Sequence, residues 1–136
     1  MQVEVNWASG MEFRAEVGSG HTLVMDASVE GGGENLGARP TEFLLAAVGG
    51  CTGIDVVSIL QKMQQPIEGV KVQIKSERAE EHPRRFTQVK IHYVITGKDL
   101  NPERVGRAVQ LSTEKYCSVS HSLNASIEYD FEIIDS

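Results

Sequence analysis

Cysteine is scarce in this sequence, with Cys51 and Cys117 as the only two among 136 residues. They are far apart in the chain, so neither a C-x-x-C redox motif nor the paired cysteines of a zinc ribbon is present. In a reducing cytosol a permanent disulfide is not expected, so the two are either core residues or partners in a transient disulfide. A redox role for the pair requires a fold that brings the two thiols together.

The sequence also lacks a basic block, a leader pattern and an unbroken apolar span. No basic run is longer than Arg84-Arg85, and the net charge of −6 argues against nucleic acid or an anionic membrane as a partner. Glycines and Asp55 interrupt the longest apolar run, so we predict neither a signal peptide nor a membrane span. We therefore expect a cytoplasmic protein.

The composition is that of a soluble globular protein, with 40% hydrophobic and 24% charged residues. The length fits a single domain over residues 1–136. The first 26 residues alternate between apolar and polar side chains, which predicts a β-meander. The glycine-rich segment from Ser28 to Arg39 has no period and is predicted to be a flexible loop.

A long helix is predicted from Pro40 to about Gln64. It is apolar on nearly every side, which is typical of a helix covered by a sheet and by something else, such as a second subunit. Gly49 and Gly50 each cost about 1 kcal/mol relative to alanine inside a helix. Two together indicate either a close approach of another backbone, such as a crossing helix, or a local kink beside Cys51.

The second half of the chain predicts a hairpin, two helices and a last strand. Apolar residues alternate over 70–74 and 89–95, Asn101-Pro102 is typical of a helix start, and alternation returns over 127–133. The segment from Ser118 to Leu123 predicts one short helical turn. The order βββ, α, ββ, αα, β indicates an α+β fold.

Three stretches carry a resemblance that covers essentially the whole chain. They are ARPTEFLLAAVGGCTGIDVVSILQKM around Cys51, SERAEEHPRRFTQVKIHYVITGKDL in the hairpin and LSTEKYCSVSHSL around Cys117. Together they resemble the OsmC/Ohr superfamily of osmotically inducible and organic hydroperoxide resistance proteins, closest to its YhfA-like branch. The resemblance implies antiparallel sheets wrapped around a long buried central helix, in an intertwined homodimer with active sites at the interface.

The same resemblance implies a thiol-dependent peroxidase that reduces organic hydroperoxides in oxidative stress defence. Cys51 would be the peroxidatic thiol, which is oxidised to a sulfenic acid, and Cys117 the resolving thiol that forms a Cys51–Cys117 disulfide. An external dithiol, such as a dihydrolipoyl group on a lipoylated reductant, would reopen that disulfide. No bound cofactor or metal is implied.

The sequence departs from the peroxidase branches at the start of the central helix. There an acidic residue directly follows the helix-opening proline, whereas here Thr41 follows Pro40 and Glu42 comes one position later. On a straight helix Glu42 faces away from Cys51. This displacement favours an alternative function, a non-catalytic small-molecule-binding or redox-sensing stress protein of the same fold.

Two arginines are candidates for the cation beside the reactive thiol, namely Arg39 at the end of the loop and Arg14 on the second strand. The sequence leaves both open. Asp55 lies four residues after Cys51, on the same helix face. Its carboxylate alone would raise the thiol pKa, but paired with an arginine it would orient that cation towards the sulfur.

A metal site receives little support from the sequence. Cys117 and His121 would share a helix face, as metal ligands do, and His21 could join them. Two ligands on one turn are a weak zinc signal, so we predict that His121 is a polar neighbour of Cys117 or a surface residue.

Overall fold

The computed structural model describes residues 1–136 and divides the chain into two compact units. The first is Met1–Ala46 and the second is Ala47–Ser136. Helix α1, Pro40–Lys62, starts in the first unit and continues into the second. The single domain expected over the whole chain stays a prediction.

The first unit contains the predicted β-meander. Its strands are β1 (Val3–Ser9), β2 (Glu12–Val17) and β3 (Thr22–Met25), paired antiparallel in that order. Gly10 and Gly20 supply the positive φ angles, 54° and 92°, at the two turns between them. The sequence prediction for this region is confirmed.

The segment after β3 contains no helix or regular strand, as expected, but it is organised by one carboxylate. Asp26 is buried and accepts hydrogen bonds from the backbone N–H groups of Ala27 (2.7 Å), Leu36 (3.0 Å) and Glu34 (3.2 Å). The bond from Leu36 is the largest cause of a lowered Asp26 pKa. Both ends of the loop are therefore tied to one side chain.

The second unit contains a mixed three-stranded sheet. Strands β4 (Ile67–Arg78) and β5 (Phe86–Gly97) form the predicted antiparallel hairpin, but β6 (Ser126–Asp135) runs parallel to β5. The expectation of purely antiparallel sheets is wrong for β6. The chain leaves β5 through helix α2 (Pro102–Leu111) and returns to the end where β5 began, and such a crossover joins parallel strands.

Helix α2 begins where the sequence predicts. The Asn101 side chain accepts hydrogen bonds from the N–H groups of Glu103 (2.9 Å) and Arg104 (3.3 Å), which caps the helix. The helix then widens into a π-helix over Ser112–Tyr116, followed by the short helix α3, Ser118–His121. π-helical turns are rare and occur frequently at functional sites.

Helix α1 ends at Lys62, slightly before the predicted Gln64. Gln64 adopts a φ of 59°, its N–H donates to the Gln61 carbonyl (3.0 Å), and the N–H of Gln65 donates to the Leu60 carbonyl (2.9 Å). This is the Schellman arrangement, which satisfies carbonyl groups left open by the last turn.

One stripe of α1 is buried within the single chain. That a second subunit covers the remaining apolar faces of the central helix stays a prediction. The stripe follows a four-residue step and consists of Val48, Thr52, Val56 and Leu60. On another face Ile54 is 73% exposed. By length and composition alone α1 could also cross a membrane, although core helices of soluble proteins meet the same criterion.

The two adjacent glycines of α1 have different surroundings. A Cβ built on Gly49 would lie 3.2 Å from Cδ1 of Ile74 on β4, so its close neighbour within the chain is a strand. A helix of a second subunit that crosses here stays a prediction. A Cβ on Gly50 would have no neighbour within 4 Å. Packing within the chain therefore explains Gly49 and leaves Gly50 unexplained.

The outer face of the mixed sheet holds a histidine between two carboxylates. His92 on β5 contacts Asp130 through Nδ1 (2.6 Å) and Glu132 through Nε2 (3.2 Å), both on β6. The hydrogen bond with Asp130, followed by that with Glu132, raises the His92 pKa above its ordinary value. Protonated His92 therefore adds stability to the folded state.

Replacing His92 should remove a pH-dependent part of the stability. Because the folded pKa is raised, the contribution is complete below the ordinary histidine pKa of about 6.5 and is lost as pH rises through the raised value. We expect the stability advantage of wild type over His92→Gln, measured by urea unfolding, to shrink as the pH rises above the ordinary histidine pKa of about 6.5. His82→Gln, at an exposed turn position, is the control, and a pH-independent difference for His92→Gln would contradict the assignment.

Candidate functional site

Cys51 lies in the middle of α1, directly before the buried Thr52, and its thiol is free and half-buried. Backbone N–H groups in the middle of a helix are engaged in the helix itself. A helix N-terminus therefore does not act on the Cys51 thiol. Any activation must come from neighbouring side chains.

Cys117 is buried, with 1% of its surface exposed, between the π-helix and α3. Its N–H donates to the Ser112 carbonyl (2.8 Å), which closes the π-helix. Its Sγ accepts a hydrogen bond from the N–H of Ser120 (3.5 Å), so Cys117 caps α3. Backbone bonds on both sides thus fix the position of this thiol.

The fold brings the two cysteines together. The Cys51 thiol lies close enough to Cys117 to act on its ionisation. Burial is the largest cause of a raised Cys117 pKa, the hydrogen bonds from Ser120 oppose it, and the neighbouring Cys51 raises it further. Cys117 is therefore a protonated thiol at neutral pH.

Buried hydroxyl groups connect α1 to the segment that leads to Cys117. Thr52 Oγ1 lies 2.6 Å from both Tyr93 Oη and Ser112 Oγ, and Tyr93 Oη lies 2.9 Å from Thr113 Oγ1. Ser112 Oγ also donates to Asp55 Oδ2 at 3.0 Å. Asp55 on α1 thus accepts a hydrogen bond from Ser112 in the π-helix.

Sequence reasoning missed the hydroxyl residues of this cluster. Tyr93 and Ser112 occupy positions that the strand and helix periods assign to the core, and Thr52 stands within an apolar helix. A buried hydroxyl group needs a hydrogen-bond partner. Hydroxyl side chains at core positions on three different elements were therefore a usable signal.

The charged site candidates of the first unit, Arg14, Arg39 and Glu42, have hydrogen-bond partners within that unit. Arg14 Nε pairs with Glu12 (2.8 Å), and Arg39 Nη1 donates to the Gly37 carbonyl (3.0 Å). Glu42 accepts a hydrogen bond from the Arg39 N–H (2.9 Å), as in a capping box. Thr41, in the first turn of α1, also belongs to this unit. A place for any of these groups beside Cys51 stays a prediction.

His121 lies beside the carbonyl of Thr113, with Nε2 at 3.1 Å. Both line a small cavity of about 200 Å³ with Glu114 and Tyr129. His21, in the first unit, bonds to Ser19 instead (2.9 Å). No group of three or more histidine, cysteine or acidic side chains has a geometry that could hold a metal ion.

The first unit contains a larger, mainly apolar cavity of about 500 Å³. Its lining residues are Val5, Met11, Phe13, Met25, Asp26, Ala27, Ser28, Arg39 and Pro40. Its size is within the range of small-molecule sites.

Comparison with known proteins decides the family. The sequence profile described as "OsmC-like protein" matches residues 31–132. The chain belongs to the OsmC-like family. This OsmC-like protein is 44% identical, over 136 residues and 98% of each chain, to Protein YhfA of Escherichia coli (strain K12). The resemblance seen in the sequence is confirmed.

Solved structures confirm the OsmC-like fold. A hypothetical protein from Aquifex aeolicus VF5 superposes with a TM-score of 0.87 at 31% identity, covering 99% of this chain and 96% of that one. The organic hydroperoxide resistance protein OhrB of Bacillus subtilis superposes with a TM-score of 0.62 at 17% identity, covering 97% and 98%. At that identity the likeness to OhrB shows the fold alone.

The pH dependence of alkylation should report the raised pKa of Cys117. In a Cys51→Ser variant burial still disfavours the thiolate, so we expect the midpoint of the iodoacetamide pH–rate profile to lie above the ordinary thiol pKa of 9.0. The same variant unfolded in urea is the control. A native midpoint at or below the unfolded one would contradict the assignment, whatever the absolute rates.

Proposed function

We propose that this OsmC-like protein is a thiol-dependent peroxidase that reduces organic hydroperoxides in oxidative stress defence. The observation that carries the proposal is the proximity of Cys51 and Cys117, which are distant in sequence. The proposed cycle needs a peroxidatic thiol that is more exposed than the resolving thiol. Cys51 is half-buried and Cys117 is buried, which agrees with these roles. The accessible thiol meets the peroxide, and the buried one meets only its neighbour.

The cycle has three balanced steps. The Cys51 thiolate attacks the distal oxygen of the hydroperoxide, the O–O bond breaks, and the alkoxide leaves as an alcohol after taking up a proton, which leaves a sulfenic acid. The Cys117 sulfur then attacks the Cys51 sulfur, the S–O bond breaks, and water leaves with the Cys117 proton. An external dithiol reduces the resulting disulfide by exchange and is itself oxidised.

The proposed partners follow from this chemistry. The substrate is a small organic hydroperoxide, and the reductant is a dithiol such as a dihydrolipoyl group on a lipoylated protein. Such a cycle operates in a reducing compartment, in keeping with a cytoplasmic protein. It uses no bound cofactor or metal, since the electrons pass from the external dithiol through the two cysteine sulfur atoms to the peroxide oxygen.

A cation beside Cys51 is part of the proposal. A thiolate forms more readily near a positive charge, and Arg14 and Arg39 are the candidates that the sequence provides. Arg39 lines the apolar cavity of the first unit. The bond of Glu42 to the helix start leaves the second oxygen of its carboxylate for an arginine.

A homodimer is the assembly that we propose. Ile54 of α1 is 73% exposed, and the first sheet exposes several large apolar side chains, among them Val3, Val5, Trp7 and Phe13. Apolar surfaces that persist over whole elements mark interaction sites. A second copy of the chain would cover both surfaces and explain the open surroundings of Gly50.

Two observations favour the alternative of a small-molecule-binding or redox-sensing protein. Glu42 caps the helix start, and the first unit has a ready cavity of about 500 Å³. In a redox sensor the thiols would form a disulfide without steady turnover of peroxide. In a binding protein the thiols would not react. OhrB of Bacillus subtilis is named an organic hydroperoxide resistance protein, and at 17% identity it shares its fold with this chain.

Intact-mass spectrometry after a stoichiometric pulse of cumene hydroperoxide tests the proposed cycle. The reduced wild type should lose two hydrogens as the disulfide forms, because Cys117 resolves the sulfenic acid. Cys117→Ser should gain one oxygen atom, and Cys51→Ser should stay unchanged. With a dithiol present, wild type should consume the peroxide continuously.

Other outcomes separate the alternatives. A disulfide that forms without steady consumption of peroxide would favour a redox sensor. Thiols that stay reduced in excess peroxide would exclude the peroxidase, and a small molecule retained in native mass spectrometry would then favour the binding protein.

Charge at Ile54 should weaken the dimer. A lysine buried at an apolar interface lacks a partner, and such a charge costs about 3 kcal/mol or more. We expect Ile54→Lys to raise the dimer dissociation constant by at least about 100-fold in sedimentation equilibrium. Ile134→Lys, at another exposed isoleucine on the outer face of β6, is the control, and a wild-type monomer would overturn the proposal.

A further inference from the structure

Thr52 connects α1, the helix that carries Cys51, to the buried hydroxyl groups of Tyr93 and Ser112. Its side chain is fully buried in the otherwise apolar stripe of α1 and lies 2.6 Å from two hydroxyl groups, those of Tyr93 and Ser112. Thr52 directly follows Cys51, so a constraint on Thr52 also constrains the backbone at the reactive thiol. No buried polar side-chain atom in the chain lacks a hydrogen-bond partner.

Asp55 gives the hydroxyl chain a direction. The Ser112 hydroxyl group donates to Asp55, so it must itself accept from Thr52. Thr52 then accepts from Tyr93, which accepts from Thr113. Each hydroxyl group uses its single proton once. The Thr52 carbonyl, at 3.4 Å, is a second and longer acceptor for the Ser112 proton, and the direction of the other bonds is the same with either acceptor.

Among the residues of this hydrogen-bonded series, only Ser112 also bonds to the backbone of Cys117. Its carbonyl accepts the Cys117 N–H at 2.8 Å, while its hydroxyl group contacts Thr52 and Asp55 on α1. One residue therefore joins the helix of the first thiol to the backbone of the second. Thr113, its neighbour in the same π-helix, bonds through its hydroxyl group to Tyr93 on β5 and not to α1.

We propose that Ser112 is a positioning residue that holds Cys117 against Cys51 by fastening the π-helix to Thr52 and Asp55 of α1. The inference rests on the proposed function in that it assigns Ser112 to the resolving step. Two reacting groups held in contact have a high effective concentration, and small displacements lower it steeply. Loss of the Ser112 hydroxyl group frees the π-helix from α1 while its own backbone bonds persist.

The equilibrium of the thiol pair with glutathione tests this inference without any peroxide. One glutathione disulfide and the two protein thiols give the Cys51–Cys117 disulfide and two molecules of reduced glutathione, so the equilibrium constant measures the effective concentration of the pair. We expect Ser112→Ala to lower this constant about tenfold. Formation of the Cys51 sulfenic acid, measured in the Cys117→Ser background, should change less than about twofold.

Thr113→Val is the matched control, because it removes a neighbouring buried hydroxyl group and leaves the contacts of Ser112 with α1 in place. We expect its glutathione equilibrium to stay within about twofold of wild type. Urea unfolding of each reduced variant selects conditions in which all of them are folded. Thr52→Val provides a second route to the same question, since it removes the partner of Ser112 on α1 and should lower the constant in the same direction.

The results of the glutathione experiment distinguish a failure of the positioning role from a failure of the peroxidase proposal. A constant for Ser112→Ala equal to that of wild type, or an equal loss in Thr113→Val, would overturn the positioning role. A wild type that forms no disulfide with glutathione would overturn it as well. A wild type that forms the disulfide but consumes no hydroperoxide would remove the peroxidase proposal, and a selective loss in Ser112→Ala would still support the positioning role.

Discussion

The packing of one stripe of α1 determines where the chemical groups of the second unit lie. Val48, Thr52, Val56 and Leu60 recur every four residues and are fully buried. Because an α-helix advances 100° per residue, fixing this stripe fixes the direction of every other side chain on the helix. Cys51 and Asp55 each precede a stripe residue, so both lie at its margin and are half-buried.

A threonine in that stripe imposes a condition on the elements that pack against it. A buried hydroxyl group without a partner costs about 1–3 kcal/mol, whereas the same group with a partner is nearly neutral or favourable. Tyr93 of β5 and Ser112 of the π-helix supply the partners. The hydroxyl groups specify one relative placement of helix, strand and π-helix, which an apolar core of the same volume would specify less sharply.

The elements could be predicted from the sequence to a large extent, because they depend on local patterns. Alternation located β4, β5 and β6, and Asn101 located the start of α2. Alternation did not reveal the direction of β6, since it is the same in parallel and antiparallel pairs. The two helices predicted between β5 and β6 were the usable signal, because a helical crossover joins parallel strands.

The composition of the candidate site was less accessible to sequence reasoning. The meeting of Cys51 and Cys117 followed only from the family resemblance, because no local pattern joins residues so far apart. The bond between Ser112 and Asp55 depends on the π-helix, for which no pattern was available.

The raised pKa of Cys117 is consistent with a division of labour between the thiols. A buried, protonated thiol is a poor nucleophile towards a peroxide in solution, so it does not compete for the substrate. In the proposed cycle its attack on a neighbouring sulfenic acid would transfer the thiol proton to the departing hydroxyl group, which leaves as water, while the S–S bond forms and the S–O bond breaks. Burial thus protects Cys117 from direct oxidation, and proximity to Cys51 compensates for its low intrinsic reactivity. In the proposed cycle the geometry held by Ser112 matters more for the resolving step than the ionisation of Cys117.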